Sequence, residues 1–88
     1  MQPTRGNIAI SMAGRDKGML FAILSVEGEY CLLADGKLRP LERPKRKKQK
    51  HLQMTRMILP EQSLISNKQL RRSLARLKSE QQNGNNPA

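Results

Sequence analysis

The amino-acid sequence predicts a mainly β fold: a small barrel of short strands with a basic arm, followed by one C-terminal α-helix. Three observations carry that expectation. Apolar residues recur at every second position near the start of the chain, an Asp-Gly pair follows two strand-like runs, and a helix-capping signature sits at Ser66.

Over residues 6–13, Ile8, Ile10 and Met12 alternate with Asn7, Ala9 and Ser11, the period of a strand with the first set buried and the second facing outward. Residues 20–26, with Phe21, Ile23 and Val26, form a denser apolar run suited to a strand buried on both faces. A turn at Glu27-Gly28-Glu29 leads into an antiparallel partner over 30–34. Asp35-Gly36 then supplies the residues a tight hairpin turn demands, so 37–42 is expected to return as a strand with Leu38 toward the core. Pro44 ends that strand, because it has no N–H to give a ladder. A basic arm follows, and His51-Leu52 is expected to form a last short strand. Closing such a sheet into a barrel removes its exposed edges.

At Ser66 the side chain can accept from the Gln69 N–H, Gln69 can reach back, and Ile65 can staple onto Leu70. Leu70, Leu74 and Leu77 then share one helical face, with Lys68, Arg72 and Arg76 opposite. A helix this short needs a docking surface. The expected organisation is a barrel over 1–55 that includes the arm at 43–50, a linker over 56–65, a helix over 66–80 and a disordered tail over 81–88.

An 88-residue chain buries only about 60% of the surface it exposes when unfolded, so one small core is all it can hold. With 36% hydrophobic residues, one Phe, one Tyr and no Trp, it has little left to line a deep substrate cleft. One His, one Cys and no flanking carboxylate pair supply neither an acid/base couple nor an activated nucleophile, so the chain is not expected to be an enzyme. Two potential zinc ligands fall short of the usual four, and no cofactor or metal is expected. Cys31 falls within a strand pattern and is expected to be a buried small hydrophobe before a reactive thiol; His51 is expected to be satisfied by backbone, the alternative being a contact to a base or phosphate. The apolar run 19–26 is far shorter than the roughly 18 residues that span a bilayer, and no small-residue cleavage site follows it. No membrane partner and a cytoplasmic location are the expectation.

Charge is the strongest global signal. Against 7 Asp+Glu stand 17 Lys+Arg, a net charge of +10, and such self-repulsion favours a polyanionic partner. The run Arg43-Pro44-Lys45-Arg46-Lys47-Lys48-Gln49-Lys50 carries six positive charges in eight residues and should stay extended until phosphates neutralise it. It also has the composition of a nuclear-localisation signal. Arg15 and Lys17 project from the glycine-bounded loop Ala13-Gly14-Arg15-Asp16-Lys17-Gly18, where a partner can approach the backbone closely. Together with Arg39 these are the expected RNA-contacting residues, and Lys68, Arg72 and Arg76 form a possible second face. Phe21 and Tyr30 lie inside apolar strands, so base-stacking platforms are not expected and phosphate contact should dominate.

The segment Gly6-x-Ile8-x-Ile10, the loop from Ala13 to Gly18 and the run 21–26 together resemble the KOW motif of ribosomal proteins and transcription elongation factors. Continuing through Tyr30-Cys31-Leu32-Leu33-Ala34-Asp35-Gly36, the arm and His51-Leu52-Gln53-Met54-Thr55, residues 5–55 are similar to the fourteen-e family of large-subunit ribosomal proteins and its small bacterial KOW-domain relatives. Asn7 stands where that family often has an acidic residue, and Met54 where it commonly has Pro. The resemblance implies an SH3-like barrel of KOW type whose loop residues Arg15 and Lys17 and arm 43–50 rest on structured RNA, ribosomal RNA of the large subunit foremost, beside ribosomal proteins. The alternative is a transcription-associated KOW domain that docks on a protein partner.

Overall fold

A computed structural model describes residues 2–84, and the side chains of 2–80. Five antiparallel strands form one sheet: β1 (Asn7–Ser11), β2 (Leu20–Glu27), β3 (Tyr30–Ala34), β4 (Lys45–Lys48) and β5 (Leu52–Ile58), in the order β4-β3-β2-β1-β5. The helix α1 (Asn67–Gly84) packs on it. The fold is therefore mainly β with one C-terminal helix. β4 and β5 lie on opposite edges, yet only a 3₁₀ turn, Gln49–His51, connects them. The sheet must curl until its edges approach. No ladder joins β4 to β5 among the described residues, so the sheet is not closed.

Curling gives the sheet two buried faces, which corrects the expectation that Asn7, Ala9 and Ser11 look outward: all three are buried, whereas Met12 is exposed. On the concave side Ala9, Phe21, Ile23, Cys31 and Leu33 pack together with Met19, Leu52 and Met54 at their margin. On the convex side Ile8, Ala22 and Ala34 lie opposite one another across β1, β2 and β3. The small side chains of Ala22 and Ala34, beside Ile8, leave a shallow bed for Leu70 and Leu74, with Leu64 beside them and Leu77 at the edge. The leucine face of α1 thus docks on the sheet. Cys31 is buried, and desolvation pushes its thiol pKa up.

The strand expected over 37–42 is absent. Pro40 cannot donate to a ladder, and the Asp35 carboxylate instead accepts the N–H groups of Lys37 (2.9 Å) and Arg39 (2.8 Å), closing a local turn. Leu38 is 67% exposed rather than in the core. The partner of β3 is the basic run itself, with Lys47 opposite Cys31 and Lys45 opposite Leu33. Gly36 matters less as a hairpin residue than as a contact: at φ +80°, a Cβ there would collide with the Asn67 carbonyl at the start of α1.

The final strand is also longer than expected, running to Ile58, and a 3₁₀ turn at Glu61–Leu64 buries Leu64, so 56–65 is no linker. Ser66 does accept from the Gln69 N–H at 3.2 Å, but Ile65 is 74% exposed and staples nothing. The helix continues through 81–84, four residues into the segment expected to be disordered, while 85–88 lie outside the described residues.

Between Asn7 and Ala9 the pairing of β1 with β5 is irregular, extra residues being accommodated on β5. The Asn7 amide donates to the Thr55 (2.9 Å) and Met57 (3.2 Å) carbonyls there, while the Thr55 hydroxyl donates to the Ile8 carbonyl at 2.8 Å. Asn at position 7, rather than an acid, follows from this: a carboxylate has no N–H to give either carbonyl. Asn7→Asp is expected to cost about 2 kcal/mol or more at pH 7 by leaving buried acceptors against a buried charge. Urea unfolding checks it, and wild-type stability would discount the bridge.

Candidate nucleic-acid interface

Four adjacent cations on one strand alternate between faces, and each finds a partner within the protein. Lys45 and Lys47 turn toward the loop after β1, where Asp16 accepts from Lys45 Nζ at 2.5 Å and from Lys47 Nζ at 2.7 Å. Lys47, only 8% exposed, also donates to the Ala13 carbonyl at 2.7 Å, and Ser11 donates its hydroxyl to Asp16 at 2.6 Å. Burial alone would raise the Asp16 pKa. The bonds from Lys45, Lys47 and Ser11 together outweigh that cost and hold its carboxyl well below the usual carboxylate range.

On the other face Arg46 lies 3.8 Å from the Tyr30 ring centroid and Lys48 5.7 Å from it, with Glu27 and Glu29 as their respective ion-pair partners. The run 45–48 is therefore an edge strand of the sheet rather than a free arm. Arg46 lies over the Tyr30 ring, and Phe21 is buried.

Among the described residues, five of the seventeen cationic side chains stand in ion pairs: Arg5, Lys45, Arg46, Lys47 and Lys48. The other twelve, all within the described residues, are exposed. Two loops present several of them. The loop after β1 is fixed by Asp16 and by the Gly18 N–H to the Ser11 carbonyl (2.8 Å), and it carries Arg15 and Lys17. The segment after β3 is fixed by Asp35 and by Asn67, whose side chain accepts the Leu41 N–H (2.8 Å) and donates to Glu42 (2.7 Å). It carries Lys37, Arg39 and Arg43.

The two loops face each other across a pair of clefts. Arg15, Arg39 and Lys45 line one of about 360 Å³, while Lys17, Lys37, Arg71 and Lys78 line its neighbour of about 590 Å³. Of the expected contact residues, Arg15, Lys17, Arg39 and Lys45 are thus brought together. Lys48 and Lys50 border a separate depression with Glu29, and Lys68, Arg72 and Arg76 are exposed along α1. To the residues expected from sequence the structure adds Lys37, Arg71 and Lys78. The spacing of Arg71, Ala75 and Lys78 puts them on one side of a helix, and that signal could have found two of the three.

No protein-family model matches the chain, and no curated protein matches it either. Among the described residues no helix is long and apolar enough to cross a membrane.

Because the folded-state pKa of Asp16 is depressed, the stability it confers is present above the ordinary carboxylate pKa of about 4 and is lost as pH falls below that toward the folded value. Asp16→Asn strands two partly buried lysines and is expected to cost on the order of 3 kcal/mol at pH 7. The gap to wild type should narrow steadily below about pH 4, as followed by urea unfolding at several pH values. A pH-independent gap would mean that the ion cluster is not its source.

Proposed function

We propose that this protein binds structured RNA through the phosphate backbone, ribosomal RNA of the large subunit before other RNAs, as a cytoplasmic ribosomal or ribosome-associated protein. The observation that carries the reading is the division of its cations: Lys45 and Lys47 are tied into the fold by Asp16, and among the described residues twelve exposed cations stand in no ion pair. Polyanion capture is what an excess of that kind serves. The curled five-stranded sheet, whose edge strands are joined by a single 3₁₀ turn, is compatible with the SH3-like KOW barrel that residues 5–55 resemble, and that resemblance supports ribosomal RNA over other polyanions. Ribosomal proteins are then its neighbours.

The contact residues differ in weight from a simple count of the basic run. Arg15, Lys17, Arg39 and Arg43 are exposed and outside ion pairs, whereas Lys45 and Lys47 reach phosphate only at the expense of Asp16. Charge reversal across 45–48 would break the sheet edge and say nothing of RNA. The informative variant is the fourfold reversal of Arg15, Lys17, Arg39 and Arg43 to Glu. It should keep the wild-type circular dichroism spectrum, lose co-sedimentation with ribosomes and weaken binding of a folded ribosomal RNA fragment by 100-fold or more. If about six phosphates are neutralised, wild-type log K should fall with log salt at a slope of about −4 to −5, and the variant's slope should be shallower. Undiminished co-sedimentation by the folded variant would overturn the proposal. A ribosome pull-down that survives nuclease would instead favour docking on a protein.

A further inference from the structure

The pair of clefts between the two cationic loops has a chemistry that phosphate contact alone does not use. Met19 lies in the wall of both. In the larger one, Ile10, Met19, Leu20, Leu74 and Ala75 supply an apolar floor between the sheet and α1. Lys17, Lys37, Arg71 and Lys78 supply the rim, all four exposed and outside ion pairs. The one acid in the same wall, Asp35, is only 8% exposed and accepts two backbone N–H groups, which leaves four cations on the rim against a single carboxylate. Both clefts are open depressions, of about 590 and 360 Å³, with room for one face of a planar group rather than full enclosure of it.

An apolar floor ringed by cations fits a partner with a flat apolar surface and an anion on each side of it. Within an RNA that is one nucleotide whose base has left the stack, since a paired base has both faces covered and cannot enter. The Met19 thioether is a polarisable surface suited to an aromatic ring. Flanking phosphates of the same strand would reach the rim lysines and Arg71, whose guanidinium is oriented by donating to the Gly36 carbonyl at 3.1 Å. We infer that this track is a site for unpaired nucleotides: the larger cleft takes a bulged or loop base, and the smaller one, beside Arg15 and Arg39, takes its neighbour. This rests on the RNA-binding reading above and adds to it a preference for interrupted over continuous helices.

Ala75→Leu tests it. Ala75 is exposed, Leu is a good helix former, and the change fills the floor without altering charge. The full chain is titrated against two RNAs of equal phosphate number, one a continuous hairpin stem and the other carrying a single bulged 2-aminopurine. The bulged RNA is expected to bind about tenfold more tightly and to change its 2-aminopurine fluorescence on binding. A75L, with unchanged circular dichroism, should remove both the preference and the fluorescence change while leaving continuous-stem affinity within about twofold. Equal affinity of wild type for both RNAs, or an unaltered preference in folded A75L, overturns the inference and leaves backbone binding standing. Absence of salt-sensitive binding to either RNA would remove the broader reading instead. Displacement of the bulged RNA by a polyglutamate peptide, lost in A75L, would assign the clefts to an acidic protein segment and also overturn it.

Discussion

The carboxylate of Asp16 is the point on which the arrangement of this small protein turns. Four consecutive cations form one edge strand, and without counter-charges they would repel one another and fray from the sheet. Strand alternation sends Lys45 and Lys47 to one side, and Asp16 meets both within hydrogen-bonding distance while also accepting from Ser11. The same bonds tie the loop after β1 to an edge strand that is not its sheet neighbour. A single residue therefore lets a basic sequence become a strand and helps draw the curl of the sheet together. On the opposite side Tyr30, Glu27 and Glu29 do the equivalent for Arg46 and Lys48, at greater exposure and so with weaker effect.

Curvature has a second source in the irregular pairings. The ladder between β2 and β3 shifts register near Leu24, and that between β1 and β5 shifts beside Asn7. Such interruptions bend a strand and increase its twist. Their cost is backbone groups left without ladder partners, and Asn7 answers it for Thr55 and Met57. Every buried side-chain polar atom among the described residues has a hydrogen-bond partner. That suits a core too small to tolerate many unsatisfied groups.

Local signals in the sequence were legible wherever they were decisive on their own. The strands β1 to β3, the turn at Gly28-Glu29, the Ser66 cap and the leucine face of α1 all follow from short-range pattern and chemistry. What was not legible depends on contacts distant in sequence. Alternation in β1 marks Ile8 as inward but cannot tell that a curled sheet with a helix on its back buries Ala9 and Ser11 as well. Asp35-Gly36 reads as a hairpin because both residues suit one; the turn they make is instead closed by the Asp35 carboxylate, and Gly36 is required where α1 passes close by. A run of six cations reads as an arm because nothing nearby in sequence announces that Asp16, some thirty positions earlier, will pair with two of them.

Helix α1 adds to this more than a cover for the convex face. Its first residue, Asn67, grips the segment at Leu41 and Glu42, and Arg71 bonds the Gly36 carbonyl one turn later. The irregular stretch between β3 and β4 therefore has a fixed course even though it lies outside the sheet. The loop after β1 is pinned just as firmly, by Asp16. Both cation-bearing segments are thus held by partners other than the cations they expose, Arg71 excepted, which serves both ends. Side chains such as Arg15, Lys17, Lys37 and Arg39 are in this way presented on rigid supports while their own charges stay uncommitted. A polyanion reaching them meets no internal bond that must first be broken, whereas reaching Lys45 or Lys47 means competing with Asp16. The distribution of pairing across the molecule, more than its total charge, selects the face that a polyanion would meet first.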